Sequence, residues 1–247
     1  MARQAKPRAK SSRRKTPARK EPRFQPARWL RRWILRLLVL AAALILLAVG
    51  GYALINPQTG FYMLSEEKRL GGVDHQWVDF DEIAPVMARS VVAAEDANFC
   101  AHWGFDMAAI RSAIDAGGNR GASTISQQVV KNVYLWQGRT WLRKALEALI
   151  TPLVELVWSK QRIVEVYLNI AEFDEGVFGV DSASRRYFDT TPDALSDRQA
   201  ALLAAILPSP KSRSASRPTE FVNRRAAAIA DGAATIRNDG RAACFED

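Results

Sequence analysis

The chain has 247 residues, with 35 lysines and arginines, 26 acidic residues and two cysteines. This length fits one ordinary domain with an appended segment, and a hydrophobic content of 48% excludes a wholly disordered chain. Two cysteines exclude a disulfide-dense small scaffold and a cysteine-rich zinc site.

Positive charge is concentrated near the N-terminus. The first 36 residues hold 14 of the 35 basic residues and a single acid, Glu21, so the remaining chain is mildly acidic. Residues 1–32 are rich in Lys, Arg, Pro, Ala and Ser without apolar periodicity, which predicts a disordered basic cytoplasmic tail. The tail has no aromatic interleaving and no nucleic-acid-reading module. We therefore expect anionic lipid to be its partner, and no nucleic acid.

A single transmembrane anchor is predicted over residues 33–55. Residues 37–55 form a run of 19 residues without a charge, preceded by Trp29 and Trp33, and about 20 apolar residues span a bilayer core. The arginines before this run should stay cytoplasmic, which places the remaining residues outside. Two alternatives are a cleaved signal peptide, whose apolar region is usually shorter, and a buried core helix, which would not normally follow so many positive charges.

The rest of the chain is predicted to be mainly α-helical. Residues 56–75 show little pattern and are interpreted as a juxtamembrane connector, and residues 76–240 as one external domain. Alternating apolar and polar residues in Gln76–Phe80 predict a short strand. The helices predicted from periodicity and capping residues are Ile83–Asp96, Asp106–Ala116, Ser123–Leu135, Thr140–Trp158, Lys160–Ile170, Asp181–Tyr187, Ser196–Leu207 and Thr219–Arg237.

The first segment with chemical content is AAEDANFCAHWGFD, residues 93–106. Glu95 and Asp96 close an apolar helix, and aromatic residues follow at once. A carboxylate among aromatic side chains is desolvated, which raises its pKa toward the range of a general base. The alternative is that both acids are solvated charges at a helix end and that His102 is a packed, hydrogen-bonded histidine.

The second segment is GNRGASTISQQVVKN, residues 118–132. Ser123 and Thr124 open a helix, and Thr124, Gln128 and Lys131 share one helix face. Hydroxyl groups at a helix N-terminus with a lysine further along suit a pyrophosphate. The segment lacks the G-K-[ST] element of a Walker loop. The alternative is a capped polar helix face without a ligand.

Two further segments carry clustered charges. Arg143 and Lys144 precede Glu147 by four and three residues, so the three share a helix face. They form either a solvated ion-pair cluster or an acid held among cations that bind a phosphate. In the segment 159–180, Arg162, Glu165 and Asn169 also share a face, which taken alone indicates packing and surface contacts.

The order and spacing of these segments resemble a known family, the glycosyltransferases that polymerise peptidoglycan from lipid II. The resemblance covers roughly residues 65–237 and is strongest to the monofunctional biosynthetic peptidoglycan transglycosylases of Gram-negative bacteria. The motifs that carry it are Glu95-Asp96-x-x-Phe99-x-x-His102-x-Gly104, Gly121-Ala122-Ser123-Thr124-Ile125-Ser126-Gln127-Gln128 with Lys131-Asn132, Arg143-Lys144-x-x-Glu147, and Lys160-x-Arg162-Ile163-x-Glu165-x-Tyr167-Leu168-Asn169.

This resemblance implies a lysozyme-like, two-lobed helical fold and a defined reaction. The 4-hydroxyl of one lipid-linked sugar attacks the anomeric carbon of a lipid-linked glycan, undecaprenyl pyrophosphate leaves, and the α-linkage becomes β-1,4. Such inversion requires a base on the attacking hydroxyl and stabilisation of the departing phosphate. The implied setting is the inner membrane, with the N-terminus in the cytoplasm, the catalytic domain in the periplasm, and cell-division or elongation proteins as candidate partners.

The resemblance also implies residue roles. Glu95 takes the role of general base, and Glu147 that of an acid or a ligand for a divalent cation, Mg²⁺ or Mn²⁺, near the leaving pyrophosphate. No organic cofactor is expected. The residues implied in substrate binding are Asn98, Phe99 and His102 on the acceptor side, and Ser123, Thr124, Gln128, Lys131, Asn132, Arg143 and Lys144 near the phosphates. Four residues are implied as structural near the site: Asp96 positions the loop of the first motif, Glu165 and Asn169 hold the cleft together, and Arg162 shares their helix face.

Two rival functions remain open at this point. A lytic hydrolase of lysozyme-like fold is less favoured, because cleavage of uncharged glycosidic bonds has little use for a cluster of phosphate-binding cations. An anchored scaffold for a cell-wall machine would need no base at Glu95.

The cysteines carry a separate prediction. Cys100 and Cys244 both lie beyond the predicted anchor, in a compartment where disulfides form and persist. We expect a Cys100–Cys244 disulfide, which requires Cα atoms within about 7 Å. The alternative is two free or buried thiols.

Overall fold

The computed structural model describes residues 26–117, 121–138 and 140–246, and this part of the chain is mainly helical, as predicted. The chain divides into two compact units, the first ending at Ala42 and the second beginning at Ala43. The helices are α1 (Pro26–Tyr52), α2 (Phe61–Leu70), α3 (Pro85–Glu95), α4 (Met107–Asp115), α5 (Ile125–Tyr134), α6 (Trp141–Val157), α7 (Lys160–Ile170), α8 (Val180–Phe188), α9 (Asp197–Ile206), α10 (Glu220–Asn238) and α11 (Ala243–Glu246).

Helix α1 covers the predicted anchor of residues 33–55 up to Tyr52, three residues before its predicted end. It has 27 residues, and its most apolar 18-residue window has a mean hydropathy of 2.5, so it is long and apolar enough to cross a bilayer. The helix begins at Pro26, so Arg28, Arg31 and Arg32, which the sequence assigned to the tail, lie on the helix instead. The part of the predicted tail before Pro26 lies outside the described residues.

Two groups of helices build the second unit. Helices α3, α9 and α10 pack against one another, and α5 packs against α6 and α7. Large apolar side chains fill the interior, including the fully buried Tyr167, Phe99, Phe173, Phe178 and Phe245. Both groups contribute to one hydrophobic core, and the mainly helical fold that the resemblance implies is confirmed.

The structure contains a small three-stranded sheet, and none of its strands is the one that the sequence predicts. Strand β1 (Asp74–His75) pairs in parallel with β3 (Val177–Phe178), and β2 (Glu172–Asp174) pairs antiparallel with β3. The prediction of a strand over Gln76–Phe80 is wrong. The backbone N–H and C=O of Val78 instead bond the side chain of Asn169, at 2.8 and 2.9 Å. Side-chain partners therefore replace the neighbouring strand that the alternating pattern suggested.

The predicted connector contains a helix that the sequence reading missed. Helix α2 begins after Gly60 and is capped at its C-terminal end by Gly71, whose φ is +81°. Glycine commonly adopts this left-handed conformation just after the last residue of a helix. A Cβ on Gly60 would lie 2.3 Å from the carbonyl oxygen of Asn132. This glycine therefore allows α2 to approach α5, and Met63 is buried on the inner face of α2.

Helix α5 starts two residues later than predicted. Thr124 is its N-cap, and the side chains of Thr124 and Gln127 form a reciprocal capping box. Ser123 consequently lies outside the helix. The bounds of the other helices predicted in the external domain agree with the structure within two residues, because their caps and apolar faces act locally.

The C-terminal segment is fastened to the first catalytic motif. Cys100 and Cys244 are joined in a disulfide with their Cα atoms 5.7 Å apart, inside the limit set above. The ring of Phe245 is buried with its centroid 6.3 Å from that of Phe99. Glu246 forms an ion pair of 2.8 Å with Arg89 on α3.

Removing the Asn169 amide should destabilise the domain strongly. Asn169→Ala leaves the backbone groups of Val78 buried without partners, and each such loss costs about 1–3 kcal/mol. We expect the free energy of unfolding, measured by urea titration, to fall by about 3 kcal/mol. The exposed Gln76→Ala serves as control, with a change within about 0.5 kcal/mol. Equal stability of the two variants would contradict this account of residues 76–79.

Reduction of the disulfide should lower thermal stability. The bond links residues 144 positions apart, for which chain-entropy arguments give about 4–5 kcal/mol. We expect reductant to lower the unfolding temperature on the order of 10 °C. The double variant Cys100→Ser/Cys244→Ser should start at the lower temperature and ignore reductant. A wild-type chain that is equally stable with and without reductant would refute this stabilising role.

Candidate active site

Glu95 ends helix α3 in a largely buried position, with its side chain 13% exposed. Its Oε2 accepts a 2.9 Å hydrogen bond from the amide of Gln128 on α5. Burial raises the pKa of Glu95, and the Gln128 hydrogen bond and the positive charges of Arg225 and Lys131 oppose that rise. Glu95 is therefore a desolvated carboxyl group with a raised pKa, and not a solvated charge at a helix end.

Asp96 is buried and joins two parts of the site. Its Oδ1 lies 2.8 Å from Nε2 of His102, and its Oδ2 accepts the backbone N–H of Ile125 at 3.0 Å. Ile125 is the first residue of α5, so a carboxylate there also interacts favourably with the helix dipole. Asp96 thereby holds the end of α3 against the start of α5, which is the positioning role that the resemblance implies.

The three residues expected on the acceptor side occupy different environments. Asn98 is exposed, and its Nδ2 donates a 2.9 Å hydrogen bond to Asp106. The Nε2 atom of His102 is bonded to Asp96 and is therefore not free to contact a ligand. Phe99 is 0% exposed and lies in the core instead of on a cleft wall, because the C-terminal Phe245 and the ammonium group of Lys160, 4.2 Å from its ring centroid, cover it.

The Glu95–Gln128 hydrogen bond joins residues that line two different cavities. One has a volume of about 270 Å³, and its lining includes Glu95, Asn98 and Ser123. The other has a volume of about 420 Å³, and its lining includes Gln128 and Lys131. Glu95 and Lys131 thus line different cavities, and the negative charge of Glu95 still acts on Lys131.

The polar residues of the second motif have different surroundings: some make hydrogen bonds within the fold, and others line a cavity or are exposed. The Thr124 hydroxyl is buried and donates to the carbonyl of Gly104 at 2.7 Å, so it braces the fold instead of facing a ligand. Ser123 is exposed, and Lys144 lies 3.5 Å from its hydroxyl. Asn132 lines the larger cavity, and its Oδ1 has no hydrogen-bond partner among the described residues.

Glu147 is buried and held by two cations on its own helix. Its Oε2 lies 2.6 Å from Arg143, and its Oε1 accepts a hydrogen bond from Lys144. Burial lowers the pKa of Lys131, while the negative charges of Glu147 and Glu95 favour its charged form. Lys131 therefore interacts electrostatically with both Glu95 and Glu147, and it links the ion-pair cluster on α6 to the carboxylate at the end of α3.

The surroundings of Glu147 do not fit a metal ion held by protein side chains. Both of its oxygens are occupied by Arg143 and Lys144. Within the described ranges, no three His, Cys, Asp or Glu side chains come together as ligands. The contacts of Glu147 are those of a carboxylate that holds two cations in place.

The residues of the fourth motif, on helix α7, bind other segments of the fold. Arg162 bonds Glu165 at 2.7 Å and donates to the backbone carbonyl of Tyr52. Asn169 is fully buried and fixes Val78, as described above. These contacts hold structural segments together, in line with the role the resemblance implies.

Sequence reasoning missed several groups near the site. The Tyr167 hydroxyl donates to Gln128 Oε1 at 3.3 Å, and Arg225 on α10 approaches Glu95. Across the larger cavity, Tyr62 donates to the buried Glu172, and Lys211 lies 3.4 Å from the same carboxylate. Tyr167 lies in a recognised motif, but the others come from helices and loops distant in sequence, so no local pattern indicates them.

Comparison with known proteins adds an independent line of evidence. A family model described as transglycosylase matches residues 64–234. A protein named biosynthetic peptidoglycan transglycosylase from Jannaschia sp. (strain CCS1) is 58% identical over 219 residues, covering 89% of this chain and 92% of the relative. Proteins of the same name from Rhodospirillum centenum (strain ATCC 51521 / SW) and Xanthomonas campestris pv. campestris (strain B100) are 45% and 47% identical over 224 and 209 residues. They cover 89% and 80% of this chain and 97% and 85% of their own lengths.

The matched region contains every side chain of the site, from Glu95 through Lys131 and Glu147 to Arg225. With that region spanning more than half of its length, and with relatives of this identity over most of it, the chain belongs to the transglycosylase family.

Proposed function

We propose that this protein is a peptidoglycan glycosyltransferase that polymerises lipid II into β-1,4 glycan strands. The observation that carries the proposal is a largely buried carboxyl group, Glu95, whose hydrogen-bond partner Gln128 lines a cavity together with Lys131. The names of its relatives, biosynthetic peptidoglycan transglycosylases, support the same activity.

The reaction is an inverting displacement in which Glu95 is the base. Its carboxylate removes the proton from the 4-hydroxyl of the acceptor sugar as that oxygen attacks the anomeric carbon of the donor. The bond from the anomeric carbon to the phosphate oxygen breaks, and both of its electrons leave with undecaprenyl pyrophosphate. The proton stays on Glu95 until it passes to solvent.

The cations of the site stabilise the leaving group. Negative charge grows on the phosphate oxygen as the bond breaks, and preorganised positive groups stabilise it without the cost of rearranging solvent. Lys131 supplies this charge from α5, and Arg143 and Lys144 supply it from α6. Glu147 holds those two side chains together, because like charges on one helix face would otherwise repel.

The membrane anchor follows from the nature of the substrates. Both are tethered to the bilayer by lipid chains, so an enzyme that joins them works at the membrane surface. Helix α1 fits a single-pass anchor. We place the anchor in the inner membrane with the N-terminus in the cytoplasm, supported by the arginines at its start, and the catalytic domain in the periplasm, supported by the Cys100–Cys244 disulfide.

Replacement of the base should abolish most activity. Glu95→Gln keeps the size of the side chain but cannot accept a proton. We expect the rate of glycan polymerisation from purified lipid II to fall by at least about a hundredfold, the usual scale for losing a positioned base. Glu67→Gln, an exposed acid on α2, is the matched control and should polymerise normally. A folded Glu95→Gln protein with wild-type activity would reject the assignment, and cleavage of sacculi by the wild type would indicate a hydrolase instead.

Loss of the cavity lysine should weaken both binding and its dependence on salt. Lys131→Ala removes one positive charge from the phosphate site, so we expect KM for lipid II to rise about tenfold, on the scale of a charge-assisted hydrogen bond. Because salt screens charge pairs, KM of the wild type should rise with ionic strength more steeply than KM of the variant. Lys68→Ala, on the exposed face of α2, is the control. Equal salt slopes in Lys131→Ala and wild type would argue against phosphate binding by Lys131.

A further inference from the structure

Arg225 is a cation beside Glu95 that none of the recognised motifs contains. Its Nη2 lies 3.7 Å from Oε1 of Glu95 and donates a 3.4 Å hydrogen bond to the carbonyl oxygen of Ala94. Its Nε is buried and has no hydrogen-bond partner within the described part of the chain. The guanidinium is therefore held against the end of α3. Within the described part of the chain, Glu95 is the carboxylate that it pairs with.

The packing of α10 on α3 determines this position. At Gly232, a Cβ would come within 3.2 Å of the Cβ of Ala93, so the two helices approach closely along this face. A cation beside the last carbonyls of a helix also interacts favourably with the negative end of the helix dipole. Arg225 is thus fixed at the C-terminal end of α3 by its own helix.

Few of the groups around Glu95 can supply a permanent positive charge. Gln128 is neutral, and Tyr167 on α7 remains protonated because burial raises its pKa well above the ordinary value. Asp96 is an acid and is occupied by His102 and the start of α5. Lys131 is cationic, but burial lowers its pKa, and its charge also interacts with that of Glu147. An arginine does not lose its proton in proteins.

We propose that Arg225 is a positioning residue whose permanent charge keeps the Glu95 carboxylate ionised and ready to accept a proton, an inference that rests on the function proposed above. Arg225 acts through Glu95 and takes no part in bond formation. Burial of Glu95 favours its neutral form, which cannot act as a base, and the neighbouring guanidinium offsets this effect while the carboxylate stays desolvated.

The sign of the pH effect follows directly. A base must be ionised, so the rate falls as pH drops through the pKa of Glu95. An opposite charge within about 4–6 Å lowers a carboxyl pKa by about 1–3 units, so removing Arg225 raises it. The acid limb of the pH–rate profile should therefore move to higher pH, while the rate on the alkaline plateau is retained.

The test is the pH dependence of lipid II polymerisation by the full-length protein in detergent. For Arg225→Gln we expect the midpoint of the acid limb of kcat/KM to rise by about one pH unit, with about a tenfold loss below the midpoint. Arg225→Lys restores a cation and should bring the midpoint back toward the wild-type value. Arg224→Gln is the matched control, because Arg224 is exposed and pairs with Glu220, and its midpoint should stay unchanged.

Several outcomes would overturn the inference. An unchanged midpoint in folded Arg225→Gln would show that Glu95 does not depend on this charge. A loss of equal size at every pH, with no rescue by lysine, would indicate a purely structural role. Should Arg225→Gln fail to fold, Arg225→Met keeps the apolar stem and is measured in its place. A wild-type protein that makes no polymer at any pH would refute the proposed function itself, a result distinct from an unchanged midpoint.

Discussion

The carboxylate of Asp96 is the contact on which the rest of the site depends. One oxygen meets His102 and the other accepts the first N–H of α5, so a single buried side chain fixes the end of one helix against the beginning of another. This bridge lies one helical turn from Gln128, which reaches Glu95 from the same helix. The orientation of the base is therefore set by its neighbour in the sequence.

Three helices from distant parts of the chain contribute to the environment of one carboxyl group. Helix α3 delivers Glu95 at its end, α5 brings a hydrogen-bond donor and a lysine, and α10 brings an arginine. Burial raises the pKa of Glu95, and the Gln128 hydrogen bond and the charges of Arg225 and Lys131 oppose that rise. The combination gives a carboxylate that is desolvated and still stabilised in its charged form.

Local rules predicted most of the helices, and they failed where partners come from far away in the chain. Lys160–Ile170 was predictable from its apolar period and from Ser159 before it, and Thr124 and Gln127 carry the capping signature of α5. The strand expected at Gln76–Phe80 failed because Asn169, about ninety residues later, takes its hydrogen bonds. Charged site residues were recognisable from motif spacing, whereas the burial of Phe99 and the approach of Arg225 depend on tertiary packing that no local pattern records.

The disulfide gives the biosynthesis of this enzyme a definite order. Cys100 follows Glu95, the proposed base, by five residues, but its partner is made only after 143 further residues have been added. The segment that follows Glu95 therefore cannot receive its covalent link before the C-terminal residues have been made. Until Cys244 has emerged, the nascent chain carries an unpaired thiol five residues beyond Glu95.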